Sequence, residues 1–362
     1  MRKLTNILVT GGAGFIGCNF IHYMLEKNNN FHGNIVNLDA LTYAGNSASL
    51  GDIEAKFNGS RYFFEKGSIC DTELVNSIFN KYKIDTVVHF AAESHVDRSI
   101  LGPRTFIETN VMGTFTLLDA AKNNWKKADG SFGDDNLFHH ISTDEVYGSL
   151  GETGYFTEST PYDPRSPYSA SKAASDHLVM AYCHTYGIPV TLSNCSNNYG
   201  PYQFPEKLIP LMIINMANGK PLPVYGDGKN ISDWIFVEDH NHAVWIIMQK
   251  GKSGETYNVG GENEWANIKL LETLISIVSR QEGLDIEKVR KTITYVKDRP
   301  GHDRRYAIDC SKIKRELGWK QKVSFEEGLE KTVGWYLANT QWVDNIQSGE
   351  YKNWIEKNYG KR

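Results

Sequence analysis

The fold is decided by residues 10–17, Thr-Gly-Gly-Ala-Gly-Phe-Ile-Gly, which directly follow the apolar segment Ile7-Leu8-Val9. Glycines between a strand and a helix allow a tight turn, a close approach of the backbone to a pyrophosphate, and close packing of the helix on the strand. The N-terminus of that helix then offers free N–H groups and a positive dipole to the phosphates. Residues 10–17 therefore predict a dinucleotide-binding turn.

Further apolar segments recur along the chain with helical patterns between them, at residues 35–38, 86–90, 138–141 and 190–192. Near-continuous apolar strands that alternate with helices are typical of a parallel sheet covered on both faces. We therefore predict an α/β fold in which residues 1–198, rejoined by about residues 232–258, form a Rossmann-type doubly wound parallel sheet. After residue 198 the sequence changes to turns and mixed segments, which predicts a smaller mixed α/β substrate-binding domain over residues 199–362.

An acidic residue, Asp39, ends the second predicted strand, 22 positions after Gly17. A carboxylate there can accept both hydroxyls of an adenosine ribose and would repel a 2′-phosphate, which favours NAD over NADP. The alternative is a capping Asp before a loop. Small residues follow a later strand in Phe90-Ala91-Ala92-Glu93-Ser94, where they suit either a passing cofactor or ordinary packing.

Tyr168 and Lys172 lie four positions apart in a predicted helix, so both side chains point from one face. An ammonium group near a phenol favours the phenolate and lowers its pKa, which predicts that Tyr168 is a base near neutral pH. Such a base can take the proton from a sugar hydroxyl while hydride leaves the carbon.

The sequence Ser142-Thr143-Asp144-Glu145 ends another predicted strand, at the sheet edge where open α/β sheets bind ligands. Adjacent carboxyl groups tend to hold different protonation states, so Glu145 could act as a base and Asp144 as an acid. The alternative is a helix cap followed by a solvated acid. Together with Tyr168 and Lys172, the pair favours oxidation of a sugar carbon followed by elimination.

Composition limits the other classes of function. The 362 residues include 39 Lys and Arg against 43 Asp and Glu, and the net charge of −4 argues against nucleic acid or a membrane surface as a partner. The five cysteines are scattered, without a C-x-x-C motif or a Cys/His cluster at metal-ligand spacing, so we expect reduced thiols and no metal. With no apolar stretch long enough to span a bilayer, a cytoplasmic enzyme is expected.

Seven longer motifs complete the pattern: Thr-Gly-Gly-Ala-Gly-Phe-Ile-Gly (10–17), Leu-Thr-Tyr-Ala-Gly-Asn (41–46), Ala-Ala-Glu-Ser-His-Val-Asp-Arg-Ser (91–99), Ser-Thr-Asp-Glu-Val-Tyr-Gly (142–148), Asn-Cys-Ser-Asn-Asn-Tyr-Gly-Pro (194–201), Phe-Pro-Glu-Lys-Leu-Ile-Pro (204–210) and Asp-Arg-Pro-Gly-His-Asp-Arg-Arg-Tyr (298–306). Over essentially the whole chain these motifs resemble the extended short-chain dehydrogenase/reductase family, and within it the NAD-dependent sugar-nucleotide dehydratases. The second domain is then expected to bind a sugar nucleotide.

The resemblance implies a lyase that acts on dTDP-glucose with a tightly held NAD. Tyr168, hydrogen-bonded to Thr143 and assisted by Lys172, would deprotonate the 4-hydroxyl as hydride passes from C4 to NAD. Glu145 would then remove the C5 proton while Asp144 protonates the C6 hydroxyl, and water would leave. Hydride would return to C6 and give dTDP-4-keto-6-deoxyglucose.

The resemblance also implies two sets of binding residues. For NAD they are Gly11, Gly14, Phe15, Ile16, Gly17, Asp39, Ala40, Leu41, Thr42, Ser68, Ile69, Phe90, Ala91, Ala92, Ser94, Thr109, Tyr168, Lys172 and Asn198. For the sugar nucleotide they are Ser94, Thr143, Asn197, Lys207, Leu208, Pro223, Tyr225, Asn267, Arg299 and His302.

Two positions depart from the family pattern. Relatives commonly carry Arg, in contact with the diphosphate, where this chain has Ser232, and Asp, near the adenine, where it has Ser68. The first departure affects substrate affinity or nucleotide identity, and the second affects only the affinity for the cofactor.

Other functions remain open from the sequence. A dehydratase for UDP- or CDP-glucose would use the same mechanism, an epimerase would leave Asp144 and Glu145 without a role, and a dinucleotide-binding module would not need the acid pair or Tyr168. The resemblance further implies a homodimer paired through helices at about residues 105–124 and 168–187. The apolar residues of those helices could equally be internal core.

Overall fold

The computed structural model describes residues 1–298 and 303–347, and its centre is a parallel sheet of seven strands. The order across the sheet is β10-β6-β5-β4-β1-β2-β3, with every neighbouring pair parallel. The strands of the chain are β1 (Asn6–Thr10), β2 (Asn34–Asp39), β3 (Tyr62–Lys66), β4 (Thr86–His89), β5 (Leu137–Thr143), β6 (Val190–Cys195), β7 (Asn197–Tyr199), β8 (Leu222–Tyr225), β9 (Ile231–Phe236), β10 (Glu255–Val259), β11 (Glu264–Ala266) and β12 (Ile293–Val296).

The helices cover the faces of this sheet and build the second part of the molecule. They are α1 (Phe15–His22), α2 (Gly51–Phe57), α3 (Thr72–Tyr82), α4 (Val96–Leu101), α5 (Pro103–Phe106), α6 (Gly113–Trp125), α7 (Pro167–Tyr186), α8 (Leu208–Ala217), α9 (Val237–Lys250), α10 (Asn267–Glu282), α11 (Ile286–Arg290), α12 (Ser311–Leu317), α13 (Phe325–Ala338) and α14 (Thr340–Gln347). A π-helical segment over Ile107–Met112 joins α5 to α6, and a short 3-10 turn over Asp144–Tyr147 follows β5.

The sheet confirms the predicted fold class. The five apolar segments found in the sequence lie in β1, β2, β4, β5 and β6, which are buried along almost their whole length because helices pack on both faces. Two further strands were not predicted: β3 on one edge and β10 on the other.

The second part of the molecule contains two small sheets, β11-β9-β7 and β12-β8, with a separate apolar core formed largely by α8, α10 and α13. From β9 the chain enters α9 and then β10, which pairs with β6, so the chain returns to the large sheet. The boundaries of the two predicted domains stay a prediction.

Within residues 1–298 and 303–347, none of the helices combines the length and apolar character needed to cross a bilayer.

Candidate active site

A cleft of about 510 Å³ opens where the carboxyl ends of the parallel strands face the second part of the molecule. One wall is built by the turns that follow β1, β2, β4 and β5, and the other includes residues of β8, β9 and α8. The position agrees with the general rule that open α/β sheets bind ligands beyond the carboxyl ends of their strands.

The glycine-rich turn at the base of the cleft has no room for side chains. Gly11 has a positive φ of 71°, and a Cβ there would lie 2.7 Å from the Cα of Ala91. A Cβ on Gly17 would lie 2.3 Å from the carbonyl oxygen of Gly11. Gly14 then caps α1 without a side-chain hydrogen bond, which leaves the first N–H groups of the helix open to the cleft. This bare backbone fits the pyrophosphate of a dinucleotide.

Asp39 has a structural role as well as a place in the cleft. Its Oδ2 accepts the backbone N–H of Ala13 at 2.8 Å, and its Oδ1 accepts that of Leu41 at 2.7 Å. Burial raises the pKa of Asp39, and these two hydrogen bonds oppose the rise. The carboxylate thereby orders the glycine turn and the segment after β2, and each oxygen keeps a lone pair for a ribose hydroxyl.

Tyr168 and Lys172 lie in the first turns of α7, which begins with a capping box at Ser166. Lys172 Nζ donates to the carbonyl oxygen of Ile141 at 2.8 Å. Burial raises the pKa of Tyr168 well above its ordinary value, Glu145 adds to the rise, and a hydrogen bond with Thr143 opposes it. The lowering of that pKa by Lys172, expected from the sequence, is therefore outweighed by burial in this structure.

The acid pair is divided between two environments. Thr143 caps the turn after β5, where its Oγ1 accepts the N–H of Glu145 at 3.3 Å and lies 3.4 Å from Asp144 Oδ1. Glu145 faces the cleft, whereas Asp144 is 2 % exposed and lies behind the cleft wall. Burial raises the pKa of Asp144 well above its ordinary value, and the charges of Glu145 and Asp233 raise it further. The raised pKa favours a protonated Asp144 next to Glu145.

The structure brings almost all predicted residues to one cleft. The predicted residues that line it are Gly11, Gly14, Phe15, Ile16, Gly17, Asp39, Ala40, Thr42, Ser68, Ile69, Phe90, Ala91, Ala92, Ser94, Thr109, Thr143, Glu145, Tyr168, Lys172, Asn197, Asn198, Lys207, Leu208, Pro223, Tyr225 and Asn267. Of the predicted residues within the described ranges, Asp144 and Leu41 do not line it. Leu41 is turned by its positive φ of 50°, so its backbone N–H, which bonds to Asp39, is the part that serves the site. Arg299 and His302 lie outside the described residues.

Polar groups from the second part of the molecule reach the side of the cleft opposite the glycine turn. Lys207 Nζ donates to the carbonyl oxygen of Ser94 at 3.4 Å, and the hydroxyl of Tyr225 donates to Asp97 Oδ2 at 3.3 Å. A lysine at this position can hold a phosphate as a point charge.

Two functional candidates were missed in the sequence. Tyr306 lines the cleft, donates to Asp303 Oδ2 at 2.5 Å, and has its pKa raised by burial and by Glu145. Glu206 is 4 % exposed and accepts a hydrogen bond from Tyr43 at 3.4 Å. Tyr306 and Glu206 both lie inside quoted motifs, so the available signal was their membership of those motifs.

One group of side chains outside the cleft has the ligand types of a cation site. His22 Nδ1 lies 3.2 Å from Glu26 and His22 Nε2 lies 3.7 Å from Asp52, while Lys56 pairs with Glu26. The two acids are partly or well exposed, and the ion pairs already account for the arrangement.

The sheet order and the cleft at its carboxyl edge define the class of protein, an extended short-chain dehydrogenase/reductase. The family model described as GDP-mannose 4,6 dehydratase matches residues 8–332. A dTDP-glucose 4,6-dehydratase of Escherichia coli is 55 % identical over an alignment of 366 residues, which covers 98 % of this chain and 99 % of that protein. The chain therefore belongs to the dTDP-glucose 4,6-dehydratase family.

Solved structures agree with this placement. The dTDP-glucose 4,6-dehydratase of Bacillus anthracis, in complex with NAD, is 45 % identical with a TM-score of 0.82. The match covers 94 % of this chain and 99 % of that chain. The enzyme of Streptomyces venezuelae, with NAD bound, is 43 % identical with a TM-score of 0.84, over 94 % of this chain and 100 % of that chain. The predicted family and fold class are confirmed.

Proposed function

We propose that this chain converts dTDP-glucose to dTDP-4-keto-6-deoxyglucose and water, with NAD reduced and reoxidised within each turnover. The observation that carries the proposal is the convergence of Thr143, Glu145, Tyr168 and Lys172 on the cleft that the glycine turn enters. An alcohol oxidiser and an acid pair at one site suit oxidation followed by elimination better than oxidation alone. Relatives named for this reaction, more than half identical over nearly the full length, support the same choice.

We assign the first step to Tyr168. As the phenolate, hydrogen-bonded with Thr143, it takes the proton of the sugar 4-hydroxyl as hydride leaves C4. When bound, oxidised nicotinamide accepts that hydride and brings a positive charge that favours the phenolate. Lys172 adds a second positive charge from the same helix face. The product of this step is a 4-ketone, which makes the neighbouring C5–H bond acidic.

We assign the elimination to the acid pair. Glu145 takes the C5 proton, and Asp144 gives its proton to the C6 hydroxyl, which leaves as water while a C5–C6 double bond forms. Hydride then adds to C6, and Glu145 returns its proton to C5. Because Asp144 lies behind the cleft wall, its side chain must rotate past Thr143 to reach the substrate.

We place NAD on the unit of residues 1–198, with 232–258, and the nucleotide sugar on residues 199–362. The bare glycine turn and Asp39 support the first assignment. For the second, Lys207 suits a phosphate, and Leu208, Pro223, Tyr225 and Asn267 offer apolar and polar surface for the base and ribose. We assign Ser94 and Asn197, which also line the cleft, to contacts near the sugar and phosphates.

We further propose a homodimer that pairs through the helical segment 103–125 and α7. Large apolar side chains are exposed there, with Ile107 at 47 %, Met112 at 50 %, Phe115 at 40 % and Tyr186 at 48 %. A second copy of the same face would cover them in a self-complementary contact. Light scattering tests this, since a monomer at micromolar concentration would contradict it.

We place the protein in the cytoplasm. The cysteines of the described residues are free thiols, and Cys70 is exposed, which suits a reducing compartment.

The experiment that tests the function is incubation of the purified protein with dTDP-glucose and no added cofactor, followed by mass spectrometry for loss of one water. UDP-glucose and CDP-glucose are tested in parallel. Conversion of dTDP-glucose alone supports the reaction, the nucleotide and a retained NAD together. Water loss only from another nucleotide sugar would move the substrate assignment, and no conversion with NAD added would contradict the proposal.

A further inference from the structure

The ammonium of Lys172 lies inside the protein. The side chain is buried, with 4 % of the residue exposed, and Nζ lies 2.8 Å from the carbonyl oxygen of Ile141 and 3.5 Å from Nε2 of His140. A buried ammonium is costly unless an opposite charge compensates it. The cleft offers Glu145, whose charge the elimination requires, so a different group has to balance Lys172.

Asp176 provides an opposite charge on the same face of α7, four positions after Lys172. It is 2 % exposed; its Oδ1 lies 3.2 Å from His140 Nε2, and its Oδ2 accepts the hydroxyl of Ser142 at 2.7 Å. His140 is completely buried between the two charges. Neither Asp176 nor His140 lines the cleft, so neither touches a substrate there.

The contacts at His140 assign its protons. Burial lowers the pKa of His140 well below its ordinary value, so the ring is neutral and one ring nitrogen carries a proton. Lys172 Nζ can only donate, so its contact with Nε2 makes Nε2 the accepting nitrogen of the ring and places the ring proton on Nδ1. Nε2 also lies 3.2 Å from Asp176 Oδ1, but no hydrogen bond joins these two atoms. Lys172 therefore donates to the carbonyl oxygen of Ile141 and to Nε2 of His140. The Asp176 carboxylate, which lies against the same ring nitrogen, acts on the ammonium through space.

We propose that Asp176 is the counter-charge of Lys172, a positioning residue that, together with His140, holds the lysine protonated and aimed at the cleft. The inference rests on the proposed function, because it assigns Lys172 a charge that the first hydride transfer needs. Asp176 takes no part in bond making. It keeps the positive charge beside Tyr168 over the pH range in which the enzyme works.

The groups that face Asp176 are Lys172 and His177 from α7, His140 and Ser142 from β5, Tyr162 from the preceding loop and Tyr147 from the 3-10 turn. Burial raises the pKa of Asp176 to about 6, while Lys172, Ser142 and Tyr162 oppose the rise, so the carboxylate is charged at neutral pH and above. Burial lowers the pKa of Lys172, and Asp176 raises it. Removal of the carboxylate charge therefore lowers the pKa of Lys172 further.

The test is the pH profile of nicotinamide reduction in the first turnover of Asp176→Asn, followed by absorbance from about pH 6 to about pH 10. Activity is expected to fall on the alkaline side of the profile, as the pH rises through the pKa of Lys172. Because Asp176→Asn lowers that pKa, this alkaline limb is expected to move to lower pH by about one unit or more. Ser175→Ala is the matched control, since Ser175 is buried next to Asp176 but its hydroxyl donates to the carbonyls of Ser171 and Lys172. Asp176→Glu keeps the charge and is expected to keep the limb in place. An unshifted limb in Asp176→Asn, or the same shift in Ser175→Ala, would overturn the proposal.

A stability cycle covers the case in which Asp176→Asn fails to fold. Each of Asp176→Asn and Lys172→Met leaves one buried charge alone, whereas the double variant leaves neither. Urea unfolding is expected to show the double variant clearly more stable than the sum of the two single losses predicts. Additive losses would overturn the pairing. This cycle needs no substrate, so it separates failure of this proposal from failure of the proposed function.

Discussion

Trp342 donates its indole N–H to the hydroxyl of Ser49 at 3.1 Å, a bond between residues 293 positions apart. It ties α14, near the C-terminal end of the described chain, to the segment after Asp39. Residues 42–45 of that segment line the side of the cleft that we assign to the cofactor. A second contact runs parallel to it, because Ile346 packs with Phe204 in a cluster that includes Tyr43 and Ala44. Helix α14 therefore helps to hold that segment in place.

Replacement of Trp342 by Ala is expected to reduce the amount of NAD that remains bound during purification by several-fold. The change removes a buried indole whose ring centroid lies 5.0 Å from that of Trp335 and 5.7 Å from that of Tyr202. Residues 42–45, which line the cleft, then lose this support. The NAD content after gel filtration measures the effect. Trp342→Phe, which keeps most of the packing and loses only the hydrogen bond, should retain an intermediate amount. A full complement of NAD in the Ala variant would show that α14 does not secure the segment.

Gly17→Ala is expected to destabilise the fold by about 3 kcal/mol, since its Cβ would meet the backbone oxygen of Gly11 at 2.3 Å and neither backbone can yield without opening the turn. Gly51→Ala is the matched control. Gly51 starts α2 in a helical conformation with open space around it, so this change should be neutral or stabilise by about 0.4–1 kcal/mol. Urea unfolding of the two variants measures both values. Equal stabilities would mean that the turn is not tightly packed.

The sequence predicted those strands whose apolar character is continuous. Both faces of β1 and β5 are covered, so nearly every residue in them is apolar or buried, and the pattern is visible without the structure. The edge strand β3 is only partly buried, and β10, Glu-Thr-Tyr-Asn-Val, contains polar residues bonded by tertiary partners. Edge position and tertiary hydrogen bonds are properties of the assembled sheet, and a single segment does not show them.

The site residues also divide into those visible in a local sequence pattern and those that depend on the assembled fold. Tyr168, Lys172 and Thr143 were predictable because their chemistry depends on short spacings within one helix or one strand end. The roles of Tyr306 and Asp176 depend on residues distant in the sequence. Glu145 raises the pKa of Tyr306, and His140 contacts Asp176. The burial of Asp144 behind the wall likewise depends on packing against the rest of the fold. Distances of this kind come only from the folded chain.

Asp144→Asn is expected to stop water loss while leaving oxidation at C4 largely intact, so that reduced cofactor accumulates when dTDP-glucose is added. The physical reason is that burial, Glu145 and Asp233 raise the pKa of Asp144 and so favour its protonated form, whereas an amide cannot give a proton to the leaving hydroxyl. Absorbance of reduced nicotinamide and mass spectrometry of the sugar measure the two steps. Turnover at the wild-type rate would show that another group is the acid.

The pH dependence of the elimination follows from the same shift. A raised pKa means that Asp144 is protonated below that pKa and loses its proton as the pH rises through it, so water loss should fall on the alkaline side. Single-turnover rates of water loss across the pH range check this sign. An elimination that speeds up with rising pH would contradict the role of Asp144.

Tyr168→Phe is expected to block the reaction one step earlier, with the bound cofactor left oxidised. The phenyl ring keeps the packing against Phe106, at a centroid distance of 6.4 Å, but it has no hydroxyl to take the proton of the sugar. The expected loss of the first hydride transfer is about 10²–10⁴-fold, the range for a general base. Absorbance of reduced nicotinamide after mixing with substrate measures it, and rapid reduction in the Phe variant would refute the assignment.

Ser232→Arg is expected to lower the KM for dTDP-glucose without a comparable change in kcat. Ser232 lines the cleft in β9, on the side where we place the sugar nucleotide. The family resemblance implies an Arg at this position, in contact with the diphosphate. A charge-assisted hydrogen bond is worth about 1.5–3 kcal/mol, which corresponds to roughly a tenfold or larger decrease in KM. Ser232→Gln, of similar length but uncharged, is the control, and it should give little of this gain. Steady-state kinetics measure both, and an unchanged or higher KM in the Arg variant would place the diphosphate away from residue 232.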